Sequence, residues 1–442
     1  MEKLSKKDMM LISLMLFSMF FGAGNLIIPP FLGQLAGTSV KAATLGFIIS
    51  AVGLPILGVI TVSKAGGLYN LASRVHPIFA SVFTILIYVA IGPFLGIPRA
   101  GSLAFEMGVA PFLSNHINSG GWILFLYTLV YFSIAFWLSL TPSKLVERFG
   151  KVLTPLLLIL IFTIFIYSIF NPLGSFGDPS GEYAKTPFFK GILDGYVTMD
   201  TIAALNFGVV ISLTLKQMGI KDEKSLVSNS IRAGLIAGFL LTIIYIILAV
   251  LGAAKQSNLA PTANGATVLT NVVLYLFGNP GIILLGLIFS LACLTTSVGL
   301  ITSCSQYFSS LTPKISYKYW VTILSVSSMI LANMGLTKIL IISVPVLTAI
   351  YPMAITLIIL SFAHNIFKGK SSVYKYSMIF VAFISIIEAL KQSGLDVSII
   401  TNLFMYIPLY SEGLGWIIPA IIGGGIGFLS TSSKENLVNI EV

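Results

Sequence analysis

Glycine and asparagine interrupt the first long apolar run of this sequence. The run, Met9–Leu32, is long enough to cross a bilayer, but Gly22–Asn25 reads GAGN, and Pro29 and Pro30 follow. Glycine and proline disfavour an unbroken helix, and backbone groups freed by a break in lipid need other partners. A bound solute and ion can be those partners at the broken helices of transporters. The alternative is a kink packed against neighbouring helices.

A second apolar run, residues 191–216, is interrupted in a similar way. Polar residues and glycines crowd its middle: Asp194, Gly195, Thr198, Asp200, Thr201, Asn206 and Gly208. Asp200 is the least expected, because an ionisable group inside a membrane is costly unless it faces a cavity or a partner. We interpret Asp200 as part of a functional site. The alternative is a structural residue bonded to nearby hydroxyls or backbone, and that role is favoured for Asp194, nearer the outer interface.

A third polar cluster lies in a later apolar run. Two registers there have the same spacing: Ala292 with Thr295 and Thr296, or Cys293 with Thr296 and Ser297. A backbone carbonyl and hydroxyls one helical turn further on are oxygen ligands that suit a small cation. Mid-helix threonine also commonly bonds the carbonyl of its own preceding turn. The cluster is therefore a candidate cation site, with its register open.

Composition indicates that these runs lie in a membrane. The 442 residues are 56% hydrophobic and 9% charged, with a mean hydropathy of +0.98, which predicts a single polytopic membrane domain, 1–442. The net charge of +10 does not indicate nucleic acid, because the basic residues sit in short loops. The two cysteines imply no disulfide framework. The first run lacks a small-residue cleavage site and is expected to be retained.

Hydropathy predicts an all-α protein with about twelve transmembrane helices. The spans are near 9–32, 40–63, 77–98, 121–140, 151–170, 191–216, 227–251, 281–308, 318–336, 339–363, 374–393 and 404–430. The third is expected to continue past Pro98 as a helix to about Gly108. A short apolar stretch, Ala266–Phe277, is expected to lie over the outer mouth as a helix too short to span.

Basic residues orient the spans. With the N-terminus inside, 18 of the 25 lysines and arginines fall in inner segments and 7 in outer ones, which predicts cytoplasmic N- and C-termini. The two interrupted spans are the first and the sixth, an offset of five. Because five is odd, the two halves would have opposite orientation. This indicates an inverted repeat, helices 1–5 (9–170) and 6–10 (191–363), with helices 11–12 (374–430) as two extra C-terminal helices. Asn25 and Asp200 are then pseudo-equivalent positions in the two breaks.

The polar pair Arg99 and Glu106 in the third span has a simpler interpretation. The two residues are seven apart in the sequence, so they share one face of a helix. We expect them to pair at the outer end of the span.

Four motifs, in order, resemble the bacterial branched-chain amino acid carrier family of the amino acid–polyamine–organocation superfamily. They are FFGAGNLIIPPFLG in span one, GPFLGIPRAG around Arg99, GYVTMDTIAALNFG in span six and ACLTTSVGL in span eight. The resemblance runs from about Lys6 to the last span. It implies the five-plus-five inverted-repeat fold of the bacterial leucine transporter.

The resemblance also implies roles for individual residues. Backbone N–H groups of Ala23 and Gly24 would bind the substrate carboxylate, and Asn25 matches the asparagine beside the substrate-linked ion. The substrate site would include Thr198, Met199, Asp200 and Thr201. A sodium site would take carbonyls of Ser18, Phe21 and Ala292 and hydroxyls of Thr295 and Thr296. Span six departs from the leucine transporter here, because it has Asp200 where no carboxylate is expected. This leaves Na⁺ and H⁺ both open as the coupling ion.

The sequence is therefore identified as a secondary transporter in a bacterial plasma membrane, surrounded by lipid. It is expected to import L-leucine, L-isoleucine and L-valine with Na⁺ (or H⁺) by alternating access around helices 1 and 6, with no other cofactor. The alternative is a cation-coupled carrier of another small amino acid or amine. A receptor or channel would not need two midplane breaks. An enzyme is not expected: there is no HExxH motif, and Asp194 and Asp200 share one helix.

Overall fold

The computed structural model describes residues 4–113, 121–171, 173–254, 262 and 264–430, so both termini lie outside the described residues. Within these ranges the chain is almost entirely helical, with one isolated antiparallel bridge between Phe176 and Ala254. Two compact units are distinguished. The first comprises Met1–Ser63 with Ile87–Ser343, and the second Lys64–Leu86 with Val344–Val442.

Nineteen α-helices are assigned in the described part of the chain. The first eleven are α1 (Lys6–Phe20), α2 (Ala23–Ala36), α3 (Val40–Ile48), α4 (Leu54–Ala65), α5 (Leu68–Ser73), α6 (Pro77–Val89), α7 (Gly96–Gly108), α8 (Trp122–Ser139), α9 (Thr154–Phe170), α10 (Pro187–Tyr196) and α11 (Asp200–Gln217). The others are α12 (Glu223–Ala253), α13 (Gly265–Phe277), α14 (Asn279–Leu311), α15 (Tyr317–Ala332), α16 (Leu336–Phe362), α17 (Ser371–Gln392), α18 (Ser398–Phe404) and α19 (Ile417–Leu429).

The helices agree with a polytopic membrane protein. Among the described residues, eight helical stretches are long and apolar enough to cross a membrane, or nine when the bent pair α10 and α11 counts as one span. The remaining predicted spans correspond to shorter helices, namely α1 before the first break, α15 and α19. Helix α13 is apolar and too short to span, as predicted for that stretch. The division into repeats at 170 and 191 stays a prediction.

Both predicted interruptions are real breaks. Helix α1 ends at Phe20, and Gly22 is extended, with φ −123° and ψ −154°, before α2 begins at Ala23. Between α10 and α11 the helix axis bends by 46°. Met199 there has φ +71°, a left-handed conformation uncommon for a residue with a side chain. Residues in such strained conformations cluster at functional sites and persist only where the surrounding structure holds them. The second break is therefore a defined structural feature.

A third break, which the sequence did not predict, divides the third span. Residues Ala90–Phe94 form a π-helical segment in which Gly92 has a non-helical ψ of −119°. Helix α7 starts after it and continues to Gly108, as expected. The break redirects the chain, so that Arg99 lies in the first turn of a new helix.

Close glycine contacts fix the broken helices in place. A Cβ on Gly33 of α2 would lie 2.0 Å from the Ala249 carbonyl oxygen, and one on Gly191 of α10 would lie 2.0 Å from the Ala43 carbonyl oxygen. Only glycine permits such close approach of two backbones. Helix α2 is therefore held against α12, and α10 against α3, which sets the positions of both breaks.

Candidate functional site

The two breaks are joined by a buried polar cluster. The Asn25 side-chain amide, in the first turn of α2, donates hydrogen bonds to a carboxylate oxygen of Asp200 and to the Tyr245 hydroxyl. The Tyr245 hydroxyl also donates to that Asp200 oxygen, at 3.2 Å. All three side chains are buried, with Asp200 only 3% exposed. The pseudo-equivalent positions predicted from the sequence thus contact each other directly.

Backbone geometry orients Asn25. The Gly22 N–H donates to the Asn25 side-chain oxygen at 3.1 Å, so the amide nitrogen is left to face Asp200 and Tyr245. Helix α2 starts here, and the first N–H groups of a helix have no partner within it. The N–H groups of Ala23 and Gly24 belong to this first turn. Helix N-termini favour anions, and the binding of a substrate carboxylate by these two N–H groups stays a prediction.

The second break contributes a hydroxyl and a strained backbone. The Thr198 hydroxyl donates to the Gly195 carbonyl at 2.8 Å and accepts from the Asp200 N–H at 3.4 Å. Thr198, Met199 and Asp200 line one cavity with the first break. Thr201 does not belong to that lining, because its hydroxyl donates to the Ser50 carbonyl at 3.4 Å. The structure therefore brings three of the four predicted residues of this segment to the cavity.

The cavity lies between four helical elements. Its volume is about 40 Å³, room for a few water molecules. It is lined by both breaks, by the start of α7 and by one face of α14: Met19, Phe20, Gly22, Ala23, Gly24, Asn25, Ile91, Gly96, Arg99, Ala100, Thr198, Met199, Asp200, Ala203, Thr296 and Leu300. Apolar and charged groups meet here. An amino acid would need the surrounding helices to move apart before it could enter.

The structure selects the register of the threonine cluster on α14. The Thr295 hydroxyl donates to the Ser18 carbonyl at 2.9 Å and to the Ala292 carbonyl at 3.0 Å, and the Thr296 hydroxyl lies 3.5 Å from the Ser18 carbonyl. Ser297 instead forms a 2.9 Å hydrogen bond with the Tyr131 hydroxyl. Ser297, which belongs only to the alternative register, therefore faces α8, whereas Thr295 and Thr296 face the end of α1.

Phe21 follows directly after α1 and packs there through its ring and its backbone N–H. Its N–H donates to the Phe17 carbonyl at 2.8 Å, and its ring stacks on those of Phe17 and Tyr245. A Cβ on the adjacent Gly22 would lie 2.6 Å from the Thr296 hydroxyl oxygen. The end of α1 is therefore pressed onto α14, where the Ser18 carbonyl lies close to the hydroxyls of Thr295 and Thr296.

The expected pairing of Arg99 with Glu106 is wrong. Glu106 is exposed, and no ion pair within 4.0 Å joins these two residues, both of which the structure describes. The Arg99 guanidinium is buried and donates to the Val197 carbonyl in the second break at 2.9 Å. Both residues lie in α7, where a spacing of seven residues separates them by about 10 Å along the helix axis, and Arg99 lies against the second break instead. An arginine within an apolar run was the signal that could have identified it.

Asp194 has the structural role that the sequence favoured. It accepts hydrogen bonds from the Tyr183 hydroxyl and from Lys190, the latter at 3.0 Å. Tyr183 precedes α10 and Lys190 lies within it, and neither they nor Asp194 line the cavity. Tyr245, by contrast, carried no sequence signal. It is one aromatic residue in the long apolar helix α12, and only packing shows that it meets Asp200.

Comparison with solved structures identifies the fold. A structure of MhsT in complex with L-phenylalanine superposes with a TM-score of 0.59 at 18% identity, covering 96% of this chain and 97% of that one. A structure of Mhp1, a nucleobase-cation-symport-1 family transporter with bromovinylhydantoin bound, gives 0.60 at 14% identity, covering 95% and 91%. The predicted fold class, an all-α membrane protein of the leucine-transporter type, is confirmed.

Sequence comparison identifies the family. A family model described as branched-chain amino acid transport protein matches residues 5–434. The branched-chain amino acid permeases BrnQ and BraB of Bacillus subtilis are 46% and 45% identical, covering 97% of this chain and 98% and 97% of theirs. The branched-chain amino acid transport system 2 carrier protein of Pseudomonas aeruginosa is 40% identical over 94% of each chain. These relatives are named as permeases and carriers, which confirms that no enzyme is to be expected. The chain belongs to the family of branched-chain amino acid transport proteins.

Proposed function

We propose that this protein is a secondary active transporter that imports L-leucine, L-isoleucine and L-valine by symport with Na⁺. The names of its relatives support the substrate class. The fold supports the mechanism, because broken helices that meet at one cavity are the usual site of alternating access. The names of these relatives favour this proposal over a carrier of another small amino acid or amine.

The observation that carries the proposal is the buried cluster of Asn25, Asp200 and Tyr245. It places a carboxylate with two hydrogen-bond donors at the point where the two breaks meet. Buried charge in a membrane protein is retained mainly where function needs it. No ion pair of Asp200 is found among the described residues, so a cationic group, either the substrate ammonium or a coupling ion, would be a suitable partner for it.

The substrate would lie across the two breaks. N–H groups of Ala23 and Gly24, at the N-terminus of α2, suit its carboxylate, because helix N-termini attract anions. Asp200 suits its ammonium group, beside Thr198 and Met199. Apolar lining residues such as Ile91 and Leu300 suit a branched aliphatic side chain.

The coupling ion would bind where α1 ends against α14. Carbonyl oxygens of Ser18 and Ala292 lie within 3.0 Å of the Thr295 hydroxyl, and we place Thr296 and the Phe21 carbonyl in the same set. Neutral oxygen ligands suit a hard cation such as Na⁺. They contain no base that could carry a proton.

One cation per substrate is sufficient to drive accumulation. A unit charge that crosses 100 mV releases about 2.3 kcal/mol, which corresponds to a gradient of roughly 50-fold. We place the protein in a bacterial plasma membrane with both termini cytoplasmic, so that the membrane potential, negative inside, drives the cation and its substrate inward.

A specific observation favours a second candidate, coupling to H⁺. Asp200 is an ionisable group buried between two hydrogen-bond donors, and buried carboxylates serve as proton carriers in transporters. In that case Asp200 itself would be the coupling site, and the threonine cluster on α14 would be structural.

Uptake into proteoliposomes tests the proposal. Purified protein is reconstituted, and labelled leucine uptake is measured with a Na⁺ gradient alone, a pH gradient alone, or neither. We expect concentrative uptake with the Na⁺ gradient only. Uptake that follows the pH gradient alone supports H⁺ coupling through Asp200, and no uptake under any gradient contradicts the proposed function.

A further inference from the structure

Arg99 is a buried cation with most of its hydrogen-bonding capacity unused. Its side chain is 3% exposed. One terminal nitrogen donates to the Val197 carbonyl at 2.9 Å, whereas Nε and the other terminal nitrogen, Nη2, have no partner among the described residues. A guanidinium has five N–H donors in a fixed fork, and buried unsatisfied donors are costly. An arginine left in this state is the signature of a site that binds a group absent from the protein itself.

The unused donors face the first helix break. A Cβ placed on Gly24 would lie 2.9 Å from Arg99 Nη2 and 3.0 Å from the Thr198 Cα. Only a glycine at this position allows the guanidinium and the second break to approach the start of α2 so closely. The free N–H groups of the α2 first turn and the Arg99 fork therefore point into one small space, and both favour negative charge.

Asp200 does not neutralise Arg99 directly. Both residues line the same cavity, yet no ion pair within 4.0 Å joins them in the part of the chain that the structure describes. The Asp200 carboxylate is instead held by Asn25 and Tyr245. The cavity thus has a positive wall and a separate negative wall. An α-amino acid, which carries a carboxylate and an ammonium group on one carbon, matches that arrangement.

We propose that Arg99 is a specificity-determining residue that binds the substrate α-carboxylate together with the α2 N–H groups. The proposal rests on the function proposed above and extends it, because it assigns the carboxylate a side-chain partner. Planar guanidinium and carboxylate groups form two parallel hydrogen bonds, an arrangement that lysine cannot reproduce. This role of Arg99 defines the class of substrate. A ligand must carry a free carboxylate, whereas amides and simple amines of the same shape are rejected.

A comparison of two ligands in the wild type and in Arg99→Gln, which removes the charge, tests this role. Binding of leucine and of leucinamide, which keeps the ammonium but lacks the carboxylate, is measured by calorimetry on the purified full-length protein. We expect leucine to bind the wild type about 100-fold more tightly than leucinamide, as expected for loss of charge-assisted hydrogen bonds. In Arg99→Gln, leucine affinity should fall by about the same factor and leucinamide affinity should barely change, so the preference disappears.

Arg148 provides a matched control. Its guanidinium also donates to a backbone carbonyl, that of Leu138 at 2.9 Å, and packs on the Trp137 ring, but it does not line the cavity. Arg148→Gln should keep the preference for leucine. Arg99→Lys, which retains the charge without the fork, should lose most of the preference while remaining folded. Arg99→Lys replaces Arg99→Gln in this test if Arg99→Gln does not fold.

The outcomes separate this role from the proposed function. Equal binding of leucine and leucinamide by the wild type overturns the role of Arg99 without any variant, and so does an unchanged preference in Arg99→Gln or in Arg99→Lys. Either result leaves leucine transport by the wild type intact. Absence of leucine uptake by the wild type contradicts the proposed function itself.

Discussion

The Asn25 amide donates a hydrogen bond to the Asp200 carboxylate, and these residues are 175 positions apart in the chain. The bond joins the first turn of α2 to the first turn of α11, so it links the two broken helices directly. The Tyr245 hydroxyl closes the group by donating to the same carboxylate oxygen. One buried group of hydrogen bonds therefore connects the two breaks.

Replacement of Asp200 by asparagine should abolish accumulation of leucine. The variant keeps the shape of the side chain and one acceptor oxygen, but it removes the negative charge that a substrate ammonium or a coupling cation would meet. We expect concentrative uptake to fall by about 100-fold, the size of a lost charge-assisted contact. Labelled leucine uptake in proteoliposomes measures this. Asp178→Asn, an exposed carboxylate change, is the control, and unchanged uptake in Asp200→Asn would return Asp200 to a structural role.

Removal of both hydroxyls, as Thr295→Ala with Thr296→Ala, should weaken sodium dependence. Each charge-assisted ligand contact contributes on the order of 1.5–3 kcal/mol. We therefore expect the Na⁺ concentration for half-maximal uptake to rise about tenfold or more. Substrate binding at saturating Na⁺ should survive, because the contacts at Ala23 and Gly24 are untouched. Ser297→Ala, whose hydroxyl faces Tyr131, should behave as wild type. An equal effect of both changes would place the ion elsewhere.

Competition among amino acids should follow side-chain charge rather than branching. Leucine, isoleucine and valine should compete within about 200-fold of one another, because one methylene in an apolar pocket is worth roughly 1–3 kcal/mol. Lysine and glutamate should fail to compete, since an extra unpaired charge is far more costly to bury. Inhibition of labelled leucine uptake gives the ranking. Strong inhibition by lysine or glutamate would rule out a pocket for branched aliphatic side chains.

Cysteine labelling should reveal the orientation. The two native cysteines are buried, so they give a low background. A cysteine at Lys185, which is exposed in the segment before α10, should react with an impermeant thiol reagent applied to intact cells, and one at Lys221, exposed before α12, should react only after lysis. Gly265 is unsuitable, because a Cβ there would lie 1.7 Å from the Ile27 carbonyl oxygen. The reverse labelling pattern would invert the topology and the proposed direction of symport.

Local properties of the sequence determined the membrane class and the two principal breaks. Apolar runs of spanning length report a membrane helix wherever they occur, because lipid forces each backbone to satisfy itself within the segment. Gly22 and the polar residues around Asp200 interrupt such runs for equally local reasons. The expectation of an inverted repeat led to the prediction that Asn25 and Asp200 are pseudo-equivalent positions, and the structure places the two side chains in contact.

Only the tertiary structure decided which other side chains reach the site. Tyr245 is an ordinary aromatic residue in α12 until close contact between Gly33 and Ala249 holds that helix against α2. Arg99 was expected to pair with Glu106 at the outer end of its span, and its guanidinium instead donates to the Val197 carbonyl in the second break. The register of the threonines was also undecided until Ser297 was found facing Tyr131. Contacts between helices depend on rotation and close approach over many residues, and hydropathy along one chain contains neither.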